Sequence, residues 1–171
     1  MKRCGPLKRT SPLRAHTKIR LAGRSETADT KREIQRLLRE IVILRDGGCI
    51  LRHVTIYGFP GCNGYTNSGK LILQADHLVT RANAATYADS RLVVCICVGH
   101  HDWKSVGGNA RKKLYDEVVR SLLTPERVEL WDACERDQWR PHRTGVCDWK
   151  LAEVALTAEL VALKAASPAA A

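Results

Sequence analysis

Apolar side chains recur at helical spacing in the stretch before residue 46. They are Ile34, Leu37, Leu38, Ile41 and Leu44. The pattern predicts a helix that ends near Arg45, because an aspartate and two glycines follow and such a sequence interrupts helices. Three residues are suited to cap the start of this helix: Thr27, Asp29 and Thr30.

Two short apolar runs predict strands over residues 71–75 and 92–97. Before the first strand, residues 49–73 are punctuated by glycine turns and predict a loop-rich module. Helical patterns return after the second strand, over 110–122, 125–137 and 149–166. A mixture of few strands and several helices predicts an α+β fold.

The chain divides into three predicted parts by composition. Residues 1–25 form a basic arm, residues 26–137 a central domain, and residues 138–171 a loop followed by an amphipathic helix. The arm holds eight Lys or Arg residues, two prolines and no acid, so we expect it to be disordered alone.

The balance of charge indicates the kind of partner. The chain carries 28 Lys and Arg against 18 Asp and Glu, a formal net charge of +10. Basic side chains release counterions when they bind phosphates, so the balance favours nucleic acid, and DNA first. We interpret the arm as a segment that tracks phosphates, with a solvated solubility tail as the alternative. The candidate DNA-binding residues are Lys2, Arg3, Lys8, Arg9, Arg14, Lys18, Arg20 and Arg24, together with Lys104.

The cysteine content and the lack of long apolar runs indicate the cellular compartment of the protein. No secretory leader and no run long enough to span a bilayer are evident, so a cytoplasmic protein without a membrane partner is expected. Seven cysteines in such a chain indicate reduced thiols or metal ligands rather than disulfides.

Residues with metal-ligating and acid-base chemistry follow both predicted strands. Asp76 and His77 follow the first strand, and a knuckle begins at Cys97, the last residue of the second strand, and continues to His100 and His101. The order is strand, Asp-His pair, polar loop, strand, knuckle and helix.

This order resembles the HNH superfamily of ββα-metal endonucleases, and within it the phage NinG/Rap recombination endonucleases and the Ref-type nuclease. The resemblance spans roughly half of the chain, from about residue 49 to 131. The matching text is the Asp76-His77 pair, the strand at 93–97, the knuckle, and the stretch from Gly108-Asn109 through Tyr115 to Glu126-Arg127-Val128. It implies a small zinc-braced ββα-metal core with flanking helices.

The resemblance also implies a function, which is divalent-metal-dependent hydrolysis of DNA in phage recombination or DNA processing. Branched or single-strand-containing DNA is the implied substrate, with a recombinase as a further partner. His77 corresponds to the general base, and Asp76 and His101 to the ligands of one Mg²⁺ or Mn²⁺. The alternative is that His101 binds zinc instead of His100, which is then exposed.

A structural Zn²⁺ is the second implied metal. The best four ligands are Cys49, Cys62, Cys97 and His100, whose second pair has the short spacing that zinc favours. The first pair is unusual because twelve residues separate its cysteines. The reserve ligands are His53 and Cys95. The alternative is that these cysteines are buried free thiols.

One position departs from the family pattern. Leu92 stands where the middle Asn of the HNH motif is expected. Asn83, Asp89 or Asn109 is a candidate replacement. Asn109 qualifies if a single helix includes both His101 and Asn109, because Asn109 then lies on the same face two turns later. A catalytically degenerate, zinc-containing DNA-binding module is therefore the leading alternative function. An RNA-binding zinc protein is a weaker one, because no run of aromatic residues suggests base stacking.

Overall fold

The structure is a computed structural model that describes residues 26–56, 58–79, 84–138 and 148–166. The predicted arm with its eight DNA-binding candidates lies outside the described residues, as does Asn83. Within the described ranges the fold is α+β, which confirms the predicted class. No helix in these ranges is long and apolar enough to cross a membrane.

The elements follow the predicted order. They are α1 (Glu26–Asp46), β1 (Leu73–His77), α2 (Ala84–Tyr87), a 3₁₀ turn (Ser90–Leu92), β2 (Val93–Cys97), α3 (Val98–Val106), α4 (Gly108–Leu122), α5 (Pro125–Gln138) and α6 (Trp149–Ala166). The short α2, the 3₁₀ turn and α3 as a separate helix were not predicted, and β1 begins and ends two residues later than predicted, so that Asp76 and His77 lie inside it. The cap prediction for α1 was wrong, because all three candidate residues lie inside the helix. No glycine or proline interrupts residues 26–46, so the helix can begin before the three candidate residues.

The strands β1 and β2 pair antiparallel, with Leu73 opposite Cys97 and His77 opposite Val93. All five residues of β2 are buried, which explains its continuous apolar sequence. A strand of this kind must be covered on both faces. Burial of each valine or isoleucine side chain contributes roughly 1.5–3 kcal/mol.

The side chains of β2 contribute to two hydrophobic clusters, one on each face of the hairpin. Val93 and Cys95 face the cluster formed by α1 and α6, which includes Leu38 and Leu156. Val94 and Ile96 face the opposite cluster, whose largest buried side chains are Tyr115 of α4 and Trp131 of α5. From Val93 to Ile96, consecutive strand residues therefore belong to different sides of the molecule.

The outer edge of β2 is covered by side chains instead of a third strand. Arg45 Nη2 and Arg127 Nη2 donate to the carbonyl of Val93 at 2.7 and 2.9 Å. The amide of Cys95 donates to Asp46 Oδ2 at 2.9 Å. The backbone carbonyl of Val93 and amide of Cys95 on this edge are thus hydrogen-bonded to charged side chains.

Candidate functional site

The four predicted zinc ligands lie together although they come from distant parts of the chain. Cys49 follows the turn after α1, Cys62 lies on the loop before β1, Cys97 ends β2 and His100 lies in the first turn of α3. Their ligand atoms all lie within 4.8 Å of one another. These residues could therefore hold a metal ion such as zinc.

His100 presents one ring nitrogen to the three thiols. Its Nδ1 lies 3.1 Å from Cys97 Sγ, 3.4 Å from Cys49 Sγ and 3.9 Å from Cys62 Sγ. Tetrahedral zinc with ordinary Zn–S and Zn–N bonds separates such ligand atoms by about 3.5 Å. The spacing and the soft donor set both fit Zn²⁺.

The other ring nitrogen fixes the orientation of His100. Its Nε2 donates to the carbonyl of Pro60 at 2.8 Å, so the Nδ1 lone pair faces the sulfurs. Burial lowers the pKa of His100, which keeps the imidazole neutral and able to ligate. The tautomer is thus the one that a metal at the thiols requires.

The thiols are poorly disposed to ionise by themselves. Burial raises the pKa of Cys49, and burial followed by the neighbouring Cys49 raises the pKa of Cys62 to about 12. Ionising several such sulfurs at once is costly unless a cation lies between them. A divalent ion would replace their protons and satisfy the group.

Gly99 allows the loop of Cys62 to reach the knuckle, and sequence reasoning missed this role. A β-carbon at Gly99 would lie 1.2 Å from Oδ1 of Asn63. The amide of Gly99 also faces the carbonyl of Asn63 at 3.4 Å. The signal was present, because a glycine between two ligands often permits close approach of backbone.

The structure places neither reserve ligand in the cluster. His53 is exposed and receives a hydrogen bond from Arg52 Nε at 3.0 Å. Cys95 belongs to the cluster on the other face of the hairpin. His100, not His101, lies among the thiols, as in the predicted order of ligands.

A second polar group surrounds Asp76, whose side chain is only 5% exposed. His101 Nε2 lies 4.0 Å from Asp76 Oδ1, so the two predicted catalytic-metal ligands lie near each other. Lys104 Nζ lies 2.7 and 2.6 Å from the two carboxylate oxygens. Tyr115 donates its hydroxyl to Oδ2 at 2.6 Å.

Both Lys104 and Tyr115 hydrogen-bond this carboxylate. Lys104 was predicted to bind DNA, and in the structure its ammonium compensates the buried charge of Asp76. Burial, and next the carboxylate of Asp76, raise the pKa of Tyr115 well above its usual value, so the phenol remains a donor. No spacing rule links Tyr115 to a carboxylate 39 positions away.

His77 lies on the other face of β1 from Asp76. Its ring packs on Tyr87 with 5.3 Å between centroids, and its Nε2 lies 3.1 Å from the carbonyl of Tyr87. A carbonyl only accepts, so Nε2 carries the proton and Nδ1 is the proton-accepting nitrogen. The structure therefore orients His77 but does not bring it into contact with the Asp76–His101 pair.

Leu92, which stands where the HNH motif has its middle Asn, lies in the hydrophobic core. Leu92 is 1% exposed and packs among the buried side chains of the α4 and α5 face. Asp89 accepts from the backbone of Arg91 at 3.0 Å and pairs with its guanidinium. The prediction that one helix carries both His101 and Asn109 was wrong, because α3 ends at Val106 and glycine intervenes before α4.

No family model, curated protein or solved structure matches this chain. Function is therefore inferred from the two polar groups and from the charge of the chain.

Proposed function

We propose that the protein is a zinc-braced DNA endonuclease of the HNH type, dependent on a divalent metal. The observation that carries the proposal is the 4.0 Å approach of His101 Nε2 to Asp76 Oδ1, beside the Cys3His cluster. A carboxylate oxygen and an imidazole nitrogen suit Mg²⁺ or Mn²⁺ together with water and phosphate oxygens.

The zinc cluster would support this pair mechanically. His101 follows the zinc-ligand candidate His100 directly, and Asp76 pairs with Val94 three residues before the ligand Cys97. A metal that joins β2 to α3 therefore fixes the position of His101 relative to Asp76. Precise support of this kind is what a catalytic metal site needs.

Each residue has a distinct part in the proposed reaction. Asp76 and His101 would hold the divalent ion, which would bind the scissile phosphate and stabilise the leaving oxygen. His77 accepts the proton of the attacking water at Nδ1, while the carbonyl of Tyr87 holds the ring. The proposal requires the phosphate to lie across the end of β1, where Asp76 and His77 are the last two residues.

The test is cleavage of supercoiled plasmid by the full-length chain with and without Mg²⁺ or Mn²⁺. His77→Ala is expected to slow cleavage by about 10²–10⁴-fold without loss of zinc or DNA affinity. His101→Ala is expected to lose cleavage through the metal, so that high Mn²⁺ restores part of it. His53→Ala removes an exposed imidazole that is outside the Cys3His cluster and serves as the matched control, with unchanged cleavage.

A second candidate function is a zinc-containing DNA-binding module without catalysis. It is favoured by the buried Leu92 at the motif position and by the ammonium of Lys104, which already neutralises Asp76. Tight DNA binding by the full-length chain with no cutting under any divalent ion would establish this alternative and overturn the nuclease.

A further inference from the structure

A cavity of about 390 Å³ lies between α1 and β1. Its walls include Gln35, Leu38, Arg39, Leu73, Gln74 and His77. Sites for small organic ligands have volumes of roughly 300–1,000 Å³, so the cavity is large enough for one nucleotide-sized molecule.

The chemistry of the walls is mixed in a way that suits a base with an attached phosphate. Leu73 is half-buried and Ile72, a further wall residue, is 36% exposed, which gives the cavity an accessible apolar wall. The side-chain amides of Gln35 and Gln74 each carry donors and an acceptor, which is the complement of a base edge. Arg39 supplies a cation at the same cavity.

Arg39 differs from the other arginines that are ion-paired along α1. Arg32, Arg36 and Arg45 each lie within ion-pair distance of a carboxylate on the same helix. Among the residues that the structure describes, no acidic side chain makes such a pair with Arg39. Its charge is therefore available to an external anion, and a guanidinium suits phosphate oxygens.

Tyr87 holds two walls of the cavity in place. Gln35 Nε2 donates to the Tyr87 hydroxyl at 2.6 Å, and His77 donates to the Tyr87 carbonyl at 3.1 Å. Tyr87 itself is buried against α1 and α6. A cavity whose polar walls are fixed beforehand binds a ligand with less loss of entropy.

We infer that this cavity receives one unstacked deoxynucleotide of the substrate strand. The base lies against Ile72 and Leu73 beside the two amides, and the phosphate contacts Arg39. A base within a duplex cannot enter, because its edge and faces are covered by pairing and stacking. The inference rests on the proposed function in that His77, the proposed base, is a wall of the same cavity.

The experiment compares Arg39→Gln with Arg36→Gln in the full-length, zinc-loaded chain. Both variants remove one exposed α1 arginine, so general attraction to DNA falls equally. Anisotropy is measured with a labelled single-stranded oligonucleotide and with its duplex, without added Mg²⁺ or Mn²⁺. Loss of a charged hydrogen bond of about 1.5–3 kcal/mol predicts at least roughly tenfold weaker single-strand binding for Arg39→Gln alone.

One further measurement locates the ligand. Deoxyadenosine monophosphate added to isotope-labelled protein is expected to shift the side-chain amide signals of Gln35 and Gln74. Equal losses for the two arginine variants, or equal losses on single strand and duplex, would overturn the inference. Binding of the mononucleotide without Arg39-dependent binding of the oligonucleotide would overturn the assignment to a DNA strand.

The outcomes separate this inference from the proposed function. Normal cleavage and binding by Arg39→Gln would refute the cavity and leave the nuclease intact. Arg39-dependent binding of single strands by a protein that never cuts would support the cavity and refute the nuclease.

Discussion

Replacement of two neighbouring cysteines isolates the contribution of zinc to stability. Cys95 and Cys97 both lie on β2, and both are 0% exposed. Cys97→Ala and Cys95→Ala remove the same atoms from equally buried positions, so the direct cost of the lost packing is similar. Only Cys97 belongs to the Cys3His cluster, and its sulfur lies 3.1 Å from His100 Nδ1.

The size of the difference follows from the binding of zinc to the folded state alone. Free zinc at about 1,000 times its dissociation constant stabilises the fold by about 4 kcal/mol. For a domain of 150–250 residues, each kcal/mol corresponds to about 2–4 °C in Tm, so Cys97→Ala should melt about 8–16 °C below Cys95→Ala. Tighter binding would widen the gap.

Elemental analysis and scanning calorimetry check this expectation. The unchanged chain and Cys95→Ala should each carry about one zinc ion, and chelation should lower the Tm of both. Cys97→Ala should lack tightly held zinc and be insensitive to the chelator. Equal Tm values for the two variants, with no response to chelation in either, would refute the assignment of a structural metal.

Three other predictions concern the buried carboxylate, the edge of the hairpin and the arm. Tyr115→Phe removes the 2.6 Å hydrogen bond to Asp76 and should cost about 1.5–3 kcal/mol in urea unfolding. Because the pKa of Tyr115 is raised in the fold, the advantage of the wild-type chain should be complete below pH ~10 and shrink above it. Arg127→Lys loses the forked contact with the carbonyls of Arg91 in the 3₁₀ turn and Val93 in β2 and should cost about 1–3 kcal/mol, whereas exposed Arg32→Lys should cost almost nothing. Deletion of residues 1–24 removes eight cations and should make the slope of log affinity against log salt shallower by up to roughly 7, while an unchanged slope would favour the solvated tail.

Local pattern was enough to predict most of the elements. The helical spacing from Ile34 to Leu44 predicted α1, and the uninterrupted apolar run before Cys97 predicted β2. Both signals lie within one element and need no knowledge of its neighbours. The four residues that could hold a metal ion were also predicted, from residue type and the short spacing of Cys97 and His100, although the distance between Cys49 and Cys62 along the chain gave no help.

The environment of Asp76 could not be read from the sequence in the same way. Its partners Lys104 and Tyr115 come from two later helices, and their approach depends on how those helices pack on the hairpin. The pleat of β1 had a further effect, since it sends His77 to the opposite face. Adjacent residues in the sequence were expected to act side by side, and the strand separates them.

Because the outer edge of β2 is covered, the two edges of the hairpin differ in how readily they can pair with a strand of another molecule. A strand that lacks a neighbour can recruit one from another molecule, which leads to aggregation or to strand exchange. Arg45, Arg127 and Asp46 already engage the outer edge of β2, so a foreign strand would have to displace charged hydrogen bonds there. Within the described residues, β2 is the only strand paired along β1, and the other side of β1 is thus where growth of the sheet is least opposed. Partly folded copies of this chain should therefore associate through one side of the hairpin, the side opposite Arg45 and Arg127.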